Sequence, residues 1–101
     1  MQSSSVLIDR YKPIKYQGEK DFPFPGGGVV ILVTDDGARE RLLSAYSTKD
    51  ALAVAKRLLV QDAHSKGSHF VYLISGDVRC ERDAIMDQFG EIVGDEIVRI
   101  D

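Results

Sequence analysis

The chain of 101 residues is 44% hydrophobic and 29% charged, with a formal net charge of −3. These values are typical of one globular domain and exclude a fully disordered chain, and no apolar run approaches the roughly 18–20 residues that cross a bilayer. One cysteine excludes an internal disulfide framework, and the first residues lack a signal-peptide pattern, so we expect a cytoplasmic protein without a membrane segment.

The first part of the chain predicts an irregular arm. Residues 1–25 are a tail and arm in this interpretation, and residues 26–101 form a single compact domain. Phe22 and Phe24 alternate with prolines, which favours an extended backbone, and we expect both rings to anchor the arm. The three glycines at 26–28 predict a flexible hinge before the first strong strand.

Two apolar runs, Val29–Val33 and Phe70–Ile74, predict strands that are buried on both faces. A second strand over Arg41–Tyr46 follows the first run after a turn signal. A helix then separates this second strand from Phe70–Ile74. Such a crossover makes the strands on its two sides parallel, and we expect them to be neighbours in one sheet.

The helix between these strands has a clear start signal. Ser47 is the predicted N-cap, with Asp50 as the acidic partner of a capping box. The apolar residues recur on one arc of the helix at about 100° per residue, with Arg57 on the opposite arc. That apolar arc consists of Ala51, Leu52, Val54, Ala55, Leu58 and Leu59.

The last third of the chain predicts a short strand, a helix and a terminal strand. Ser75–Asp77 is a turn signal, and Val78–Cys80 then alternates as a return strand that places Cys80 on the buried side. From Arg82 the apolar spacing becomes helical, with Phe89 on the inner side and Gly94 as the stop. Ile97–Ile100 completes the pattern as a terminal strand.

The predicted fold is therefore α/β (α+β-like): a mixed sheet of four to five strands with two amphipathic helices, in the order β-β-α-β-β-α-(β). The core is expected to contain Leu52, Leu58, Phe70, Leu73 and Phe89. Helices on one face would leave the other face for a partner, whereas helices on opposite faces would complete the monomer. Because the strands are apolar on both faces and edge strands need cover, we expect a homodimer.

Catalytic and metal-binding patterns are not found in the sequence. No set of nucleophile, base and orienting group can be assembled, so we expect that the protein is not an enzyme and uses no cofactor. His64, His69 and Cys80 lack the close spacing typical of zinc ligands, so no metal site is predicted. Cys80 lies near Arg79 and Arg82, which would favour a reactive thiolate, but its expected burial favours a structural role.

The most distinctive surface pattern is acidic. Residues 70–101 carry eight acidic and three basic residues, a net charge of −5. Asp83, Asp87 and Glu91 recur every four residues on the predicted outer side of the second helix, and we call this set the acidic face. It is either a solvated surface or a docking surface for a basic protein partner, and the preferred function is a small interaction or regulatory (inhibitor- or adaptor-like) protein.

The alternative function is nucleic-acid binding. Lys12, Lys15 and Lys20 alternate with aromatic residues that include Tyr16, a combination that grips phosphate while rings stack on bases. A hairpin and helix surface with Arg39, Arg41, Lys49, Lys56 and Arg57 would add a second basic patch. The acidic last third argues against a general backbone binder.

Overall fold

A computed structural model describes residues 11–18, 21–35, 40–61, 68–93 and 97–100. Within these ranges seven elements follow in chain order, which confirms the α+β class: β1 (Ile14–Tyr16), β2 (Gly28–Asp35), β3 (Glu40–Thr48), α1 (Ala51–Gln61), β4 (Ser68–Ser75), α2 (Arg79–Val93) and β5 (Ile97–Ile100). The five strands form one sheet in the order β1-β4-β2-β3-β5.

Strand β2 lies at the centre of this sheet. It pairs antiparallel with β3 on one side and with β4 on the other, along its whole length from Gly28 to Asp35. β1 adds to β4 antiparallel, and β5 adds to β3 in parallel, so the sheet is mixed as predicted. The prediction that β3 and β4 are neighbours is wrong: both run antiparallel to β2, which lies between them. A short connection favours antiparallel β2–β3 pairing, and an entirely apolar strand favours the central position.

The two helices cover opposite faces of the sheet. Val29, Ile31 and Val33 of β2 pack in a cluster with Ile85 and Met86 of α2. The alternate residues Val30 and Leu32 pack in a second cluster with Val54, Ala55 and Leu58 of α1, among others. Since successive residues of a strand point to opposite faces, each face of the sheet has its own helix. An uncovered face therefore gives no reason for dimerisation, and the homodimer stays a prediction about the edges and the outer surfaces.

Most of the predicted core is buried. Leu58, Phe70 and Leu73 are almost fully buried. Leu52, in the first turn of α1, is only partly buried. The side chain of Phe89 lies outside the described part of the chain. The apolar arc of α1 therefore has the predicted phase, with Arg57 exposed on the opposite side.

Helix α1 starts later than its predicted cap. Its N-cap is Asp50, whose Oδ1 accepts a hydrogen bond from the backbone N–H of Ala53 (3.2 Å). The N–H of Asp50 donates in turn to Oγ1 of Thr48 (3.0 Å). The predicted cap Ser47 is instead a buried residue of β3. The sequence offers three capping residues within four positions, Ser47, Thr48 and Asp50, and pairing with β2 as far as Thr48 decides among them.

The predicted strand Val78–Cys80 is wrong, because the chain enters α2 at Arg79. The carbonyl of Val78 accepts hydrogen bonds from the N–H groups of Glu81 (3.1 Å) and Arg82 (3.2 Å), which closes the first helical turn. Cys80 is consequently exposed on this turn rather than buried. Three alternating residues fit the start of a helix as well as a strand, and the hydrogen bonds decide the outcome.

The N-terminal arm is part of the domain. Its residues Ile14–Tyr16 form β1, and Tyr16 is buried against Phe22 with ring centroids 5.2 Å apart. Phe22 contacts Phe24 at 5.4 Å, and both rings pack against the cluster beneath α1. This confirms the predicted anchoring of the arm by Phe22 and Phe24.

Candidate functional site

Both helices begin at the same end of the sheet, around the glycine tract at 26–28. The carbonyl of Gly26 accepts a hydrogen bond from the N–H of Ala51, the first residue of α1 (3.1 Å). The carbonyl of Gly27 accepts one from the N–H of Gly76, just before α2 (3.0 Å). The tract therefore links the end of β4 to the start of α1, and it is held by backbone bonds rather than acting as the predicted flexible hinge.

Close approach of other backbone requires glycine at positions 27 and 28, and a positive φ favours it at position 26. A Cβ at Gly27 would lie 2.7 Å from the carbonyl oxygen of Thr48, and one at Gly28 would meet the carbonyl oxygen of Ile74. Gly26 has a φ of 86°, and a Cβ there would lie 2.6 Å from Oδ1 of Asp77. Side chains are thus excluded from all three positions by different neighbours.

Arg82 occupies the space behind this tract. It is 1% exposed, and its Nε donates a hydrogen bond to Oγ of Ser47 (3.1 Å). Its Nη1 donates to the carbonyls of Gly76 (3.1 Å) and Asp77 (2.9 Å). The Asp77 carboxylate also accepts from the N–H of Gly27 (3.3 Å). The guanidinium of Arg82 therefore connects the start of α2 by hydrogen bonds to β3 and to the segment that follows β4.

This buried arginine was not predicted from the sequence. Arginine is rarely fully buried, and Arg82 was expected only to open the second helix. The one available signal was its spacing from Ile85 and Met86, which places all three on the same side of a helix. Its described hydrogen bonds go to a hydroxyl and to backbone carbonyls within the protein, so we interpret the cluster as a structural clasp.

The described side chains of the acidic face, Asp83 and Asp87, lie away from the side of α2 that packs on the sheet. Arg82, Ile85 and Met86 face the sheet, whereas Asp87 is exposed and Asp83 is partly exposed. Glu91 is a residue of α2, and its side chain lies outside the described part. The exposed Glu81 adds a further carboxylate. Nε of Arg79 lies 3.9 Å from Oδ2 of Asp83, an exposed ion pair that contributes little to stability but offsets part of the negative charge of the acidic face.

The described basic residues of the arm have different surroundings in the structure. Lys12 is exposed, and Nζ of Lys15 lies 4.0 Å from the centre of the Phe70 ring, a cation–π contact. Tyr16 is 3% exposed, so its ring offers no face for base stacking. Lys20 lies outside the described residues. The aromatic half of the proposed nucleic-acid arm therefore belongs to the core.

A basic surface exists instead on the outward side of α1. Lys56 and Arg57 are exposed there, together with Ala53 and Val60, and Lys49 is exposed just before the helix. We call Ala53, Lys56, Arg57 and Val60 the basic face. Lys49, Lys56 and Arg57 were predicted as part of the alternative nucleic-acid surface, of which Arg39 and the side chain of Arg41 lie outside the described part.

Within the described ranges, no group of three His, Cys, Asp or Glu residues is arranged to hold a metal ion. None of the helices described is both long enough and apolar enough to cross a membrane. Comparison of the chain with protein-family models, with curated proteins and with solved structures found no significant match.

Proposed function

We propose that the protein is a small, non-enzymatic interaction protein that binds a basic partner on the acidic face. The observation that carries this proposal is the exposure of Asp87 one turn after Asp83, on the side of α2 that faces away from the sheet. The inward side is completed by Arg82, Ile85 and Met86. The Asp87 side chain is thus open to solvent, and the negative field of the two carboxylates attracts cations. A single, exposed cysteine supports a reducing, cytoplasmic location.

Binding of a fluorescent lysine- and arginine-rich peptide tests this proposal. We expect affinity to fall with added salt, and Asp87→Lys to weaken binding about fivefold, the equivalent of about 1 kcal/mol for an exposed ion pair. Asp21→Lys is the matched control, because Asp21 is exposed outside α2 and the change in net charge is the same. Equal losses for both variants would mean that only net charge matters and would refute a docking surface on α2.

Nucleic-acid binding is the second candidate function, and the exposure of Lys49, Lys56 and Arg57 at one helix favours it. Polyanion binding through these residues would fall steeply with salt, because each phosphate contact releases counterions. A gel-shift titration with mixed-sequence DNA and RNA at low salt tests it. Binding that is lost in K56E/R57E assigns the surface to α1, whereas binding that is lost only when Lys12, Lys15 and Lys20 are reversed assigns it to the arm.

A further inference from the structure

The outward side of α1 combines a short apolar strip with two cations. At about 100° per residue, Ala53 and Val60 lie along the middle of the basic face, and Lys56 and Arg57 lie on either side of them. Val60 is 73% exposed, the most exposed of the large hydrophobic side chains among the described residues. The basic face is thus suited to a partner helix with small residues in the middle and carboxylates beside them.

The outward side of α2 has this complementary arrangement. Cys80 and Ala84 are exposed and lie one turn apart along its middle. Asp83 and Asp87 lie on one side of this strip, and the exposed Glu81 lies on the other side. Small residues allow two helices to approach closely, so the strip of Cys80 and Ala84 can receive a larger apolar side chain.

The two surfaces cannot meet within one copy, because α1 and α2 lie on opposite faces of the sheet. A second copy can bring its α1 to the α2 of the first. In an antiparallel pair Val60 faces Cys80 and Ala84, Lys56 lies on the side of Asp83 and Asp87, and Arg57 lies on the side of Glu81. This arrangement also opposes the helix dipoles. Parallel pairing would instead place Val60 beside Asp87.

We propose that the basic partner of the acidic face is the basic face of a second copy of this chain. The inference rests on the proposed function and names its partner. Each copy offers α2 to one neighbour and α1 to another, so the contact is heterologous and does not close at two copies. Two short helices with exposed charges form a small interface, so the association is weak and decreases with salt.

Sedimentation equilibrium over a range of protein concentrations tests the charge matching. We expect the average mass of the wild type to rise above 11.2 kDa at low salt without levelling at a dimer, and to return to the monomer at high salt. K56E/R57E and D83K/D87K should each be monomeric. The variant with all four changes keeps the net charge of −3 and exchanges the signs of the two faces, so it should associate again. A quadruple variant that stays monomeric while folded, by circular dichroism, would overturn the inference.

Cross-linking tests which helices meet. Wild type contains only Cys80 as a thiol, so it is mixed with V60C/C80S and treated with a short bismaleimide. We expect a mixed dimer of one wild-type and one variant chain. D21C/C80S, with its thiol on an exposed residue outside both helices, measures random collision. A yield no greater than this control, or wild type that links Cys80 to Cys80 as efficiently, would overturn the inference.

The peptide titration separates failure of this inference from failure of the proposed function. In one outcome the wild type is monomeric at all concentrations while it still binds the basic peptide and the D87K variant does not. That result refutes self-association and leaves the proposed function of the acidic face intact. If neither association nor peptide binding is found, both are refuted. If K56E/R57E abolishes only nucleic-acid binding and leaves self-association unchanged, the basic face belongs to nucleic acid and the inference fails.

Discussion

Nε of Arg82 lies 3.1 Å from Oγ of Ser47, a buried hydrogen bond between residues 35 positions apart. It joins the first turn of α2 to the end of β3, so a residue expected to cap one helix positions the start of the other. Together with the two carbonyls to which Nη1 donates, this bond lets one side chain connect the start of α2 to two other segments at the glycine end of the sheet.

Arg82→Ala should destabilise the protein by about 3 kcal/mol, because it leaves the hydroxyl of Ser47 and the carbonyl of Gly76 buried without their donor and also removes the partly buried bond to the Asp77 carbonyl. Urea unfolding at equilibrium measures this loss. Arg79→Ala is the control on the same helix, and we expect less than about 0.5 kcal/mol because Arg79 is largely exposed. Equal losses in the two variants would contradict the structural role of Arg82.

Gly27→Ala should cost about 1–3 kcal/mol, the usual range for overpacking. The added Cβ would lie 2.7 Å from the backbone oxygen of Thr48 and 3.1 Å from the Cα of Lys49, and backbone cannot move aside as a side chain can. Gly18→Ala introduces no such clash, since its nearest neighbour would be 4.0 Å away, but its φ of 93° adds strain of about 1 kcal/mol. Chemical denaturation compares the two, and Gly27→Ala should be the more harmful.

Asp50→Ala should cost about 1 kcal/mol and loosen the first turn of α1, because the N–H of Ala53 loses its acceptor. Asp50→Asn keeps an acceptor oxygen and should be milder. Amide exchange in the first turn of α1 provides the measurement. Ser47→Ala should leave that turn unchanged, and faster exchange there in Ser47→Ala would restore Ser47 as the cap.

Leu58→Ala should cost about 2–5 kcal/mol, since Leu58 is buried between α1 and the sheet. Arg57→Ala, one residue away on the exposed side, should be close to neutral. Thermal unfolding of both variants checks the helix phase. Similar shifts in midpoint would show that α1 is rotated relative to this structure.

The strands and helices were predictable where the signal is local. The apolar runs of β2 and β4 and the 3.6-residue period of α1 depend only on neighbouring residues, and these elements appear where they were expected. The strand Val78–Cys80 failed because three residues are too short to separate a strand from the first turn of a helix. The three-residue β1 has the same ambiguity, and pairing with β4 is what defines it.

The arrangement of the elements and the clasp depend on contacts between distant parts of the chain. To predict that β2 lies between β3 and β4, one must compare the possible strand pairings. The rule that a crossover joins parallel strands does not make this comparison. The burial of Arg82 can be predicted only when the positions of its hydrogen-bond partners Ser47, Gly76 and Asp77 are known. The acidic face could be found from the sequence because its residues share one helix. Its placement opposite the basic face could not, because that depends on which face of the sheet each helix covers.

The position of β2 also determines how the molecule opens. It is paired with a neighbour on each side over Gly28–Asp35, with a bulge opposite Leu32 and Val33, so its amide protons should exchange only when β3 or β4 separates from it. β1 and β5 are bonded on one side over three and four residues, and local opening exposes them at much lower free energy. Detachment should therefore start at the two outer strands, and the central strand should be the last to exchange.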